Sequence, residues 1–219
     1  MREKFDEQLK ILGEKLVEMS ALCKSAISGA CEALALNDKN LAKSVMNMDI
    51  KIDSVEREIE RLCINLFMQQ QPVARDLRAI TSALKMITDL ERIGDQASDI
   101  SEIVLSFEDT CKIELPEHIE RMAGMAMKMV TMSLEAYVNK DAQKADECIK
   151  CDDVVDELFI SVKTDLSQLI KKNPEYIDRV LNYLMIAKYL ERIGDHATNI
   201  AEWAEFSITG THRKPDKVS

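Results

Sequence analysis

Glycine, proline and aromatic residues are scarce in this sequence, and their scarcity disfavours several fold classes. The 219 residues include 6 Gly, 4 Pro and 1 Trp, and aromatic residues make up 5% of the chain. β-Sandwiches and barrels need strands rich in aromatic residues and many turns rich in glycine and proline. Alanine, leucine, methionine, glutamate and lysine are abundant instead, which is typical of helical bundles. The composition therefore predicts an all-α protein.

Long uninterrupted apolar runs and clusters of basic residues are also lacking. Charged residues interrupt every apolar run well before the ~20 residues that a membrane-spanning helix needs. The start MREKFDEQ has no apolar segment of the kind found in signal peptides. The formal net charge of −10 repels nucleic-acid phosphates, so no nucleic-acid partner is expected. We expect a soluble, cytoplasmic protein whose acidic surface attracts cations or basic partner surfaces.

The sequence offers little catalytic machinery. It has three histidines and no glycine-rich phosphate loop, and no nucleophile, base and orienting group can be combined convincingly. None of His118, His196 and His212 has a glutamate three residues before it, which disfavours a ferritin-like di-metal oxidase. We therefore expect a protein that is not an enzyme.

The cysteines are scattered through helical patterns and do not suggest a disulfide framework. Cys148 and Cys151 form a C-x-x-C pair, but both lie on an apolar helix row and no second pair accompanies them. Reduced core thiols are the favoured interpretation for all of the cysteines, which are Cys23, Cys31, Cys63, Cys111, Cys148 and Cys151.

Apolar residues recur at steps of three and four along most of the chain, which predicts six long helices. Their apolar rows run through residues 5–23, 45–66, 83–104, 119–129, 148–162 and 183–204. Pro72 and Pro116 suit the first turns of the third and fourth helices, and Gly210 is expected to end the sixth. Short connections make neighbouring helices antiparallel.

The phrase LERIGDQASDI at residues 90–100 returns as LERIGDHATNI at residues 190–200. Similarly placed breaker pairs, Gln71–Pro72 and Asn173–Pro174, precede the two copies. Such self-similarity indicates that a whole structural unit is repeated. We therefore predict an all-α fold of two tandem, pseudo-symmetric three-helix bundles with six long antiparallel helices. The predicted bundles span residues 1–109 and 115–210, on either side of a lapse in periodicity.

Acidic residues form a stripe on the helix that carries the repeated phrase. Glu91, Asp95 and Asp99 are four residues apart, so each lies only about 40° round the helix from the one before. Asp49 and Asp53 on the preceding helix lie about as far before the Gln71 turn as Glu91 and Asp95 lie after it. An antiparallel hairpin therefore brings the two pairs level.

The second half repeats this arrangement with Asp152 and Asp156 opposite Glu191 and Asp195. Like charges that are drawn together destabilise a fold unless a cation lies between them. Carboxylate oxygens on two rigid helices suit Mg²⁺, Mn²⁺ or Ca²⁺, and several bridging carboxylates can also hold iron or zinc in multinuclear form. A solvated acidic face is the simpler interpretation of any one pair, but duplication at matched heights favours metal sites.

Three further features of the repeated phrase are given structural interpretations. Gly94 and Gly194 are costly in a helix interior and are expected to allow close approach of a neighbouring helix. Arg92 and Arg192 are expected to pair with acids one turn away, which stabilises a surface little. His196 points away from the acidic stripe and is at best an outer contributor to a site.

The two phrases, with the D-x-x-x-D pairs, make the chain resemble the PhoU family of phosphate-signalling regulators. The most specific pieces are QQQPVARDLRAI, DLERIGDQASDI and YLERIGDHATNIAEW. The resemblance implies two three-helix bundles, often in a homodimer, with multinuclear metal sites at E/D-x-x-x-D motifs on the bundle surfaces. It also implies a negative regulator, peripheral to the membrane, that connects the ATPase of the Pst phosphate ABC transporter with a membrane sensor histidine kinase.

By position, the resemblance assigns metal ligands to both halves: Asp49, Asp53, Glu91, Asp95 and Asp99 in the first, and Asp152, Asp156, Glu191 and Asp195 in the second. The expected cofactors are divalent or trivalent ions such as iron, zinc, manganese or magnesium. Asn199 stands where Asp99 stands in the first half, and Phe159 stands where Glu56 does. The second site is therefore expected to have fewer negative ligands and weaker binding.

Two other functions are compatible with the pattern. A helical adaptor without functional metal sites would use the acids only as a soluble face. A metal-storage or redox protein would need tightly bound iron, and the lack of suitable histidines disfavours it.

Overall fold

The computed structural model describes residues 2–69, 73–108 and 113–213, and these ranges contain helices and no strands. The seven α-helices found there are α1 (Arg2–Leu36), α2 (Lys39–Gln69), α3 (Ala74–Leu105), α4 (Glu117–Asn139), α5 (Ala142–Lys150), α6 (Asp152–Lys172) and α7 (Ile177–Thr209). A single 3₁₀ turn, Pro174–Tyr176, precedes α7. The predicted fold class is confirmed. The predictions for Pro72 and Cys111 lie outside the described residues.

The helices form two bundles. Helices α1, α2 and α3 pack on one another, and α4 packs with α5, α6 and α7. The predicted fifth helix is interrupted at Cys151, whose amide donates to the carbonyl of Cys148, three residues back, at 3.0 Å. A bond to the third rather than the fourth preceding residue tightens the helix locally. The fifth rod therefore consists of a short α5 and a longer α6.

The apolar rows predicted from the sequence line the interior. Every residue of the predicted α3 and α7 rows is buried: Ala83, Met86, Leu90, Ile93, Ala97, Ile100 and Val104 on α3, and Tyr183, Ile186, Leu190, Ile193, Ala197, Ile200 and Ala204 on α7. Leu9, Met48, Leu62 and Cys151 belong to predicted rows but are only half-buried at the margins. Helical periodicity therefore predicted the core well.

Both halves use the same connection between their first two helices. Asn37 and Lys140 adopt the left-handed conformation, with φ of 51° and 55°. The following Asp38 accepts from the amide of Leu41 at 3.1 Å, and Asp141 accepts from that of Lys144 at 3.0 Å. These carboxylates cap the first turns of α2 and α5. The sequence repeat thus extends to local backbone structure.

The other predicted helix boundaries are close to those observed. Helix α4 begins directly after Pro116, and α3 begins at Ala74. Gly210 ends α7 with a φ of 76°, and its amide donates to the carbonyl of Phe206 at 2.8 Å. A glycine adopts this conformation without steric cost.

Helix α1 is the one helix of the described ranges that is long and apolar enough, over Phe5–Leu36, to cross a membrane by length and composition alone. Its apolar face is turned into the bundle, since Leu12, Leu16 and Ile27 are at most 1% exposed. A core helix in a bundle accounts for this composition.

Helices α3 and α7 join the two halves. The Nδ1 atom of His196 lies 2.9 Å from Oδ1 of Asp89, and the side-chain amide of Asn199 donates to the same oxygen at 3.1 Å. Farther along α3, partial desolvation and then Asp95 raise the pKa of Asp99, and Arg192 of α7 lies close enough to oppose this rise. A later α3 residue thus meets an earlier α7 residue, so the two helices run antiparallel and their repeated phrases meet at the interface.

Candidate functional site

The first acidic cluster lies where α2 passes close to α3. Gly94 allows this approach, because an added Cβ would lie 2.8 Å from Cδ1 of Ile52 and 3.1 Å from Oδ1 of Asp49. The Asp49 carboxylate therefore rests against the backbone of α3. The prediction that Gly94 permits close helix approach is confirmed.

The electrostatic neighbours of these acids show which residues lie level. Partial desolvation and then Asp95, Asp53 and Asp99 raise the pKa of Asp49. Partial desolvation and then Asp95 raise the pKa of Glu91, Arg92 opposes the rise, and Glu56 and Asp53 add to it. Acids of α2 thus face acids of α3 at matched heights. The predicted proximity is observed, while the assignment of these residues as metal ligands stays a prediction.

Arginines compensate much of this charge. Arg92 donates from Nη1 to Asp95 at 2.8 Å, and its Nε lies 3.4 Å from Oε2 of Glu91. Arg57 donates to Asp53 at 3.2 Å. Arg92 is the more central of the two, because it contacts both acids of the E-x-x-x-D motif on α3. Its side chain is 55% exposed, so it can leave the cluster at little cost.

A polar cleft of about 610 Å³ opens beside this cluster, between α2, α3 and α7. It is lined by Asp49, Arg92, Asp95, Gln96, Ser98, Asp99, Arg192 and His196. Within the described residues, the buried atoms Oδ1 of Asp49 and Oε1 of Gln96 have no hydrogen-bond partner. The four-residue spacing of acidic residues on α3 did not indicate Gln96, because Gln96 is neutral and the acids beside it are the more obvious candidates.

In the second half, Asp152 is the most perturbed acid. Partial desolvation, followed by Asp195 and Asp156, raises its pKa to about 6, although the Thr198 hydroxyl donates to it at 3.2 Å. Partial desolvation and then Glu191 raise the pKa of Asp195, and Lys188 opposes this rise. Helix α6 therefore presents its acids to α7 as α2 presents its acids to α3.

The two clusters differ in the cations and neutral groups around them. Lys188 forms an ion pair with Glu191 and also lies 5.6 Å from the ring centroid of Phe159. Asn199 points to Asp89 of the first half. Gly194 is less crowded than Gly94, because its nearest atom would be Cγ1 of Val155 at an ordinary 3.4 Å. The second cluster has less negative charge than the first, as its sequence predicts.

Two residues of the second phrase act across the interface between the halves. His196 lies off the acidic stripe, as expected, but it contacts Asp89 of α3. Arg192 was expected to pair with an acid one turn away on its own helix, and it lies instead near Asp99. Helical periodicity cannot reveal contacts between residues about one hundred positions apart in the chain.

The cysteines of the described ranges supply no alternative site. The five within the described ranges are free thiols, and burial raises the pKa of Cys63 and Cys148 to about 12. Buried thiols of this kind are unreactive and poor metal ligands at neutral pH. Core packing therefore accounts for Cys148 of the C-x-x-C pair.

The acidic clusters fit a metal by their donor chemistry more than by their arrangement. Across residues 2–69, 73–108 and 113–213, no three His, Cys, Asp or Glu side chains are grouped so that they could hold an ion as they stand. Arg92 and Lys188 form ion pairs with carboxylates that a metal would need as ligands. The oxygen donors, including the unpartnered Oδ1 of Asp49, are those that hard cations prefer.

A family model described as the PhoU domain matches residues 16–104 and 119–204. The chain belongs to the PhoU family. The first matched segment runs from α1 to α3 and the second from α4 to α7, so each half carries one PhoU match. The resemblance inferred from the two phrases is confirmed.

Curated PhoU relatives match along almost the whole chain. The phosphate-specific transport system accessory protein PhoU homolog of Clostridium acetobutylicum is 35% identical over 210 residues, which are 95% of this chain and 96% of the relative. The PhoU homolog 1 of Thermotoga maritima is 32% identical over 211 residues, covering 96% of this chain and 91% of the relative.

Solved PhoU structures share the fold. The crystal structure of PhoU from Pseudomonas aeruginosa has a TM-score of 0.88 and 33% identity, covering 94% of this chain and 100% of that one. The phosphate transport system regulatory protein PhoU from Streptococcus pneumoniae has a TM-score of 0.88 and 29% identity, covering 96% and 99%. The similarity includes both bundles.

Proposed function

We propose that this chain is a non-enzymatic, cytoplasmic regulator of phosphate uptake and phosphate-starvation signalling. It acts as a negative regulator between the ATPase of the Pst phosphate ABC transporter and a membrane sensor histidine kinase. Membership in the PhoU family supports this role, and the relatives are named as accessory proteins of a phosphate-specific transport system. The protein is peripheral to the membrane and works as a homodimer.

Metal ions are the cofactors of this regulator. The observation that supports them best is that, in each half, acids from two helices lie level with raised pKa values. Iron, zinc, manganese or magnesium, singly or in multinuclear form, would be held by Asp49, Asp53, Glu91, Asp95 and Asp99 in the first half and by Asp152, Asp156, Glu191 and Asp195 in the second. A bound cation relieves the repulsion between these carboxylates.

Arg92 and Lys188 serve as counter-ions of the metal-free protein in this proposal. Each forms an ion pair with a motif carboxylate and is about half exposed, at 55% and 46% of its side-chain area. On cation binding, each side chain would turn toward solvent and free its carboxylate. The charge of both acidic faces therefore depends on metal occupancy, which makes partner docking sensitive to metal.

The metal assignment is tested with Glu91→Ala/Asp95→Ala and Glu191→Ala/Asp195→Ala, alone and combined. After mild purification, elemental analysis is expected to show loss of metal from each altered half, while circular dichroism shows unchanged helix content. The control is Glu14→Ala/Glu18→Ala, which removes two exposed acids from one face of α1 without touching either cluster. Undiminished metal in the combined variant would contradict the assignment.

A helical adaptor without functional metal sites is the second candidate. The lack of a ready-made group of three ligands within the described ranges favours it. It predicts no thermal shift with Mn²⁺ or Mg²⁺, because only an ion that binds the folded state stabilises it. A pull-down with the transporter ATPase, with Mn²⁺ and with a chelator, separates the two: the metal-binding regulator responds to the ion and the adaptor does not.

A further inference from the structure

A cavity of about 860 Å³ lies between α1, α3, α4 and α7, where α3 begins and where α4 and α7 end. Residues of both halves line it, and none of the nine acids proposed above as metal ligands is among them. Its volume falls within the range of about 300–1,000 Å³ that is usual for small-molecule sites. This cavity is therefore separate from the acidic clusters and large enough for a ligand.

The pseudo-symmetry of the halves explains why this space is open. Arg179 of α7 stacks on Phe107, with its guanidinium carbon 3.6 Å from the ring centroid, and the Phe107 ring is buried. At the positions shifted by one hundred, the corresponding pair is Ala79 of α3 and Ser207 of α7, and both line the cavity. Two large side chains fill the junction at one end of the interface between α3 and α7. Two small residues leave it open at the other end.

Most of the cavity wall is apolar. Val17, Val138 and Ile208 line it, and the first two are 49% and 42% exposed. The hydroxyl of Tyr137, which also lines the cavity, donates to the carbonyl of Ala79 at 2.9 Å, so this polar group is already satisfied. Removing these apolar side chains from water is favourable, so the wall suits the apolar part of a ligand.

Two basic side chains of the cavity have no partner. Arg75 on the first turn of α3 and Lys140 directly after α4 line the cavity and are exposed, and neither side chain forms an ion pair or hydrogen bond within the described ranges. Lys10, by contrast, lies 3.6 Å from Glu14. The other acids of the lining already interact with other groups; they are Asp6 and Asp76. The cavity therefore offers two unpaired positive charges in a chain whose formal net charge is −10.

We propose that this cavity binds an anionic amphiphile, a molecule with one apolar chain or ring system and a carboxylate, phosphate or sulfonate group. The apolar part lies against the wall formed by α1, α4 and α7, and the anionic group lies between Arg75 and Lys140. Guanidinium and ammonium groups form strong, charge-assisted hydrogen bonds with such anions. Because the lining comes from both halves, the ligand bridges them and stabilises the folded protein.

The first test measures the role of the two charges in the full chain. The probe is 1-anilinonaphthalene-8-sulfonate, which combines aromatic rings with a sulfonate and becomes fluorescent when its rings leave water. Arg75→Gln/Lys140→Gln is expected to weaken its binding at least about fivefold, since each exposed ion pair contributes up to severalfold. The control is Lys163→Gln/Lys171→Gln, which removes two exposed lysines that do not line the cavity and should change the affinity less than about twofold.

The second test fills the cavity without changing its charge. Ser207→Phe introduces the ring that Phe107 supplies at the other end of the interface, and it is expected to abolish binding of the probe. Circular dichroism and thermal unfolding show whether the variant is folded. Ala79→Leu narrows the cavity from α3 and decides the matter if Ser207→Phe does not fold.

Competition tests the charge preference and the source of the ligand. Monomeric dodecyl phosphate should displace the probe from the unaltered chain, and dodecyltrimethylammonium, which has the same chain length and a positive charge, should not. Phosphatidylglycerol vesicles are tested by flotation. Co-flotation that Ser207→Phe lowers would assign the site to a membrane lipid, and any other flotation result would assign it to a soluble acid.

Two results would overturn the site. One is unchanged binding of the probe in folded Ser207→Phe or Ala79→Leu, which would place the probe elsewhere on the protein. The other is equal displacement by dodecyl phosphate and dodecyltrimethylammonium, together with unchanged affinity in Arg75→Gln/Lys140→Gln, which would show that the two cations recognise no anion.

Discussion

At the scale of single residues, the main feature of this protein is that its acids are crowded but not equally buried. Asp152 has a pKa of about 6, while Asp156 one turn away is exposed. Burial against the neighbouring helix makes the difference, since desolvation penalises the charged form of a carboxyl group. The sequence shows two aspartates at equal intervals, and only their environment separates them.

Asp152 should make the metal-free protein more stable as the pH falls. Its pKa is about 6 in the folded protein against an ordinary value of 3.8, so the folded state binds the proton more tightly than the unfolded state does. The free energy of unfolding therefore gains a contribution as the pH drops through about 6, and this contribution is complete below 3.8.

The Asp152→Asn variant should lose this contribution. Urea unfolding at several pH values, with a chelator present, compares it with the unaltered chain and with Asp153→Asn, which changes an exposed neighbour. We expect Asp152→Asn to be the more stable protein at neutral pH and to approach the unaltered chain in acid. Parallel stability curves for Asp152→Asn and the unaltered chain would show that burial of Asp152 is not costly.

At the scale of helices, Gly94 and Gly13 differ in the space that a side chain would have at each position. Gly94 lies against Ile52, whose side chain is completely buried in the core. Gly13 of α1, by contrast, has no neighbouring atom of the described residues within 4 Å of where a Cβ would be. The close approach of α2 and α3 at Gly94 brings Asp49 to the acidic cluster.

Gly94→Ala and Gly13→Ala should therefore change stability in opposite directions. Gly94→Ala overpacks the contact between α2 and α3 and should destabilise the fold by about 1–2 kcal/mol, because overpacking outweighs the gain in helix propensity. Gly13→Ala should stabilise it by about 0.5–1 kcal/mol through helix propensity alone. Urea denaturation of the two variants measures both changes, and stabilisation by Gly94→Ala would contradict the close contact.

At the scale of the whole molecule, polar contacts between α3 and α7 link the bundles. Asp89 of the first half accepts from Asn199 and lies within hydrogen-bond distance of His196. Arg192 lies near Asp99 at the other end of the same interface. The cleft that contains Gln96 lies beside this interface, so the packing of the halves shapes the candidate site.

Asp89→Ala should destabilise the protein by about 0.5–1.5 kcal/mol, since it removes hydrogen-bond partners of His196 and Asn199, which solvent can partly replace. A double-mutant cycle with His196→Ala isolates the contact and should give a coupling free energy of about 0.5–1.5 kcal/mol. Thr88→Ala is the control, because Thr88 is the exposed neighbour on α3. Additive effects of the Asp89 and His196 changes in urea unfolding would show that the contact does not link the halves.

The sequence by itself determined the helices, their buried rows and the height at which the acids of each half meet. These features depend on helical periodicity and on the length of chain between a turn and a residue, which are local properties. The repeat of LERIGD at an interval of one hundred residues also indicated the tandem architecture. The same repeated phrases also made the family assignment possible from the sequence.

Only the tertiary structure decided how the halves meet and what surrounds each acid. The packing of α3 against α7 decides three features of these side chains. It orients His196 toward Asp89, places Arg192 near Asp99 and buries Gln96. That packing results from many side-chain contacts between distant parts of the chain. No single periodic pattern encodes it, because periodicity specifies which face of a helix is buried but not which helix covers it.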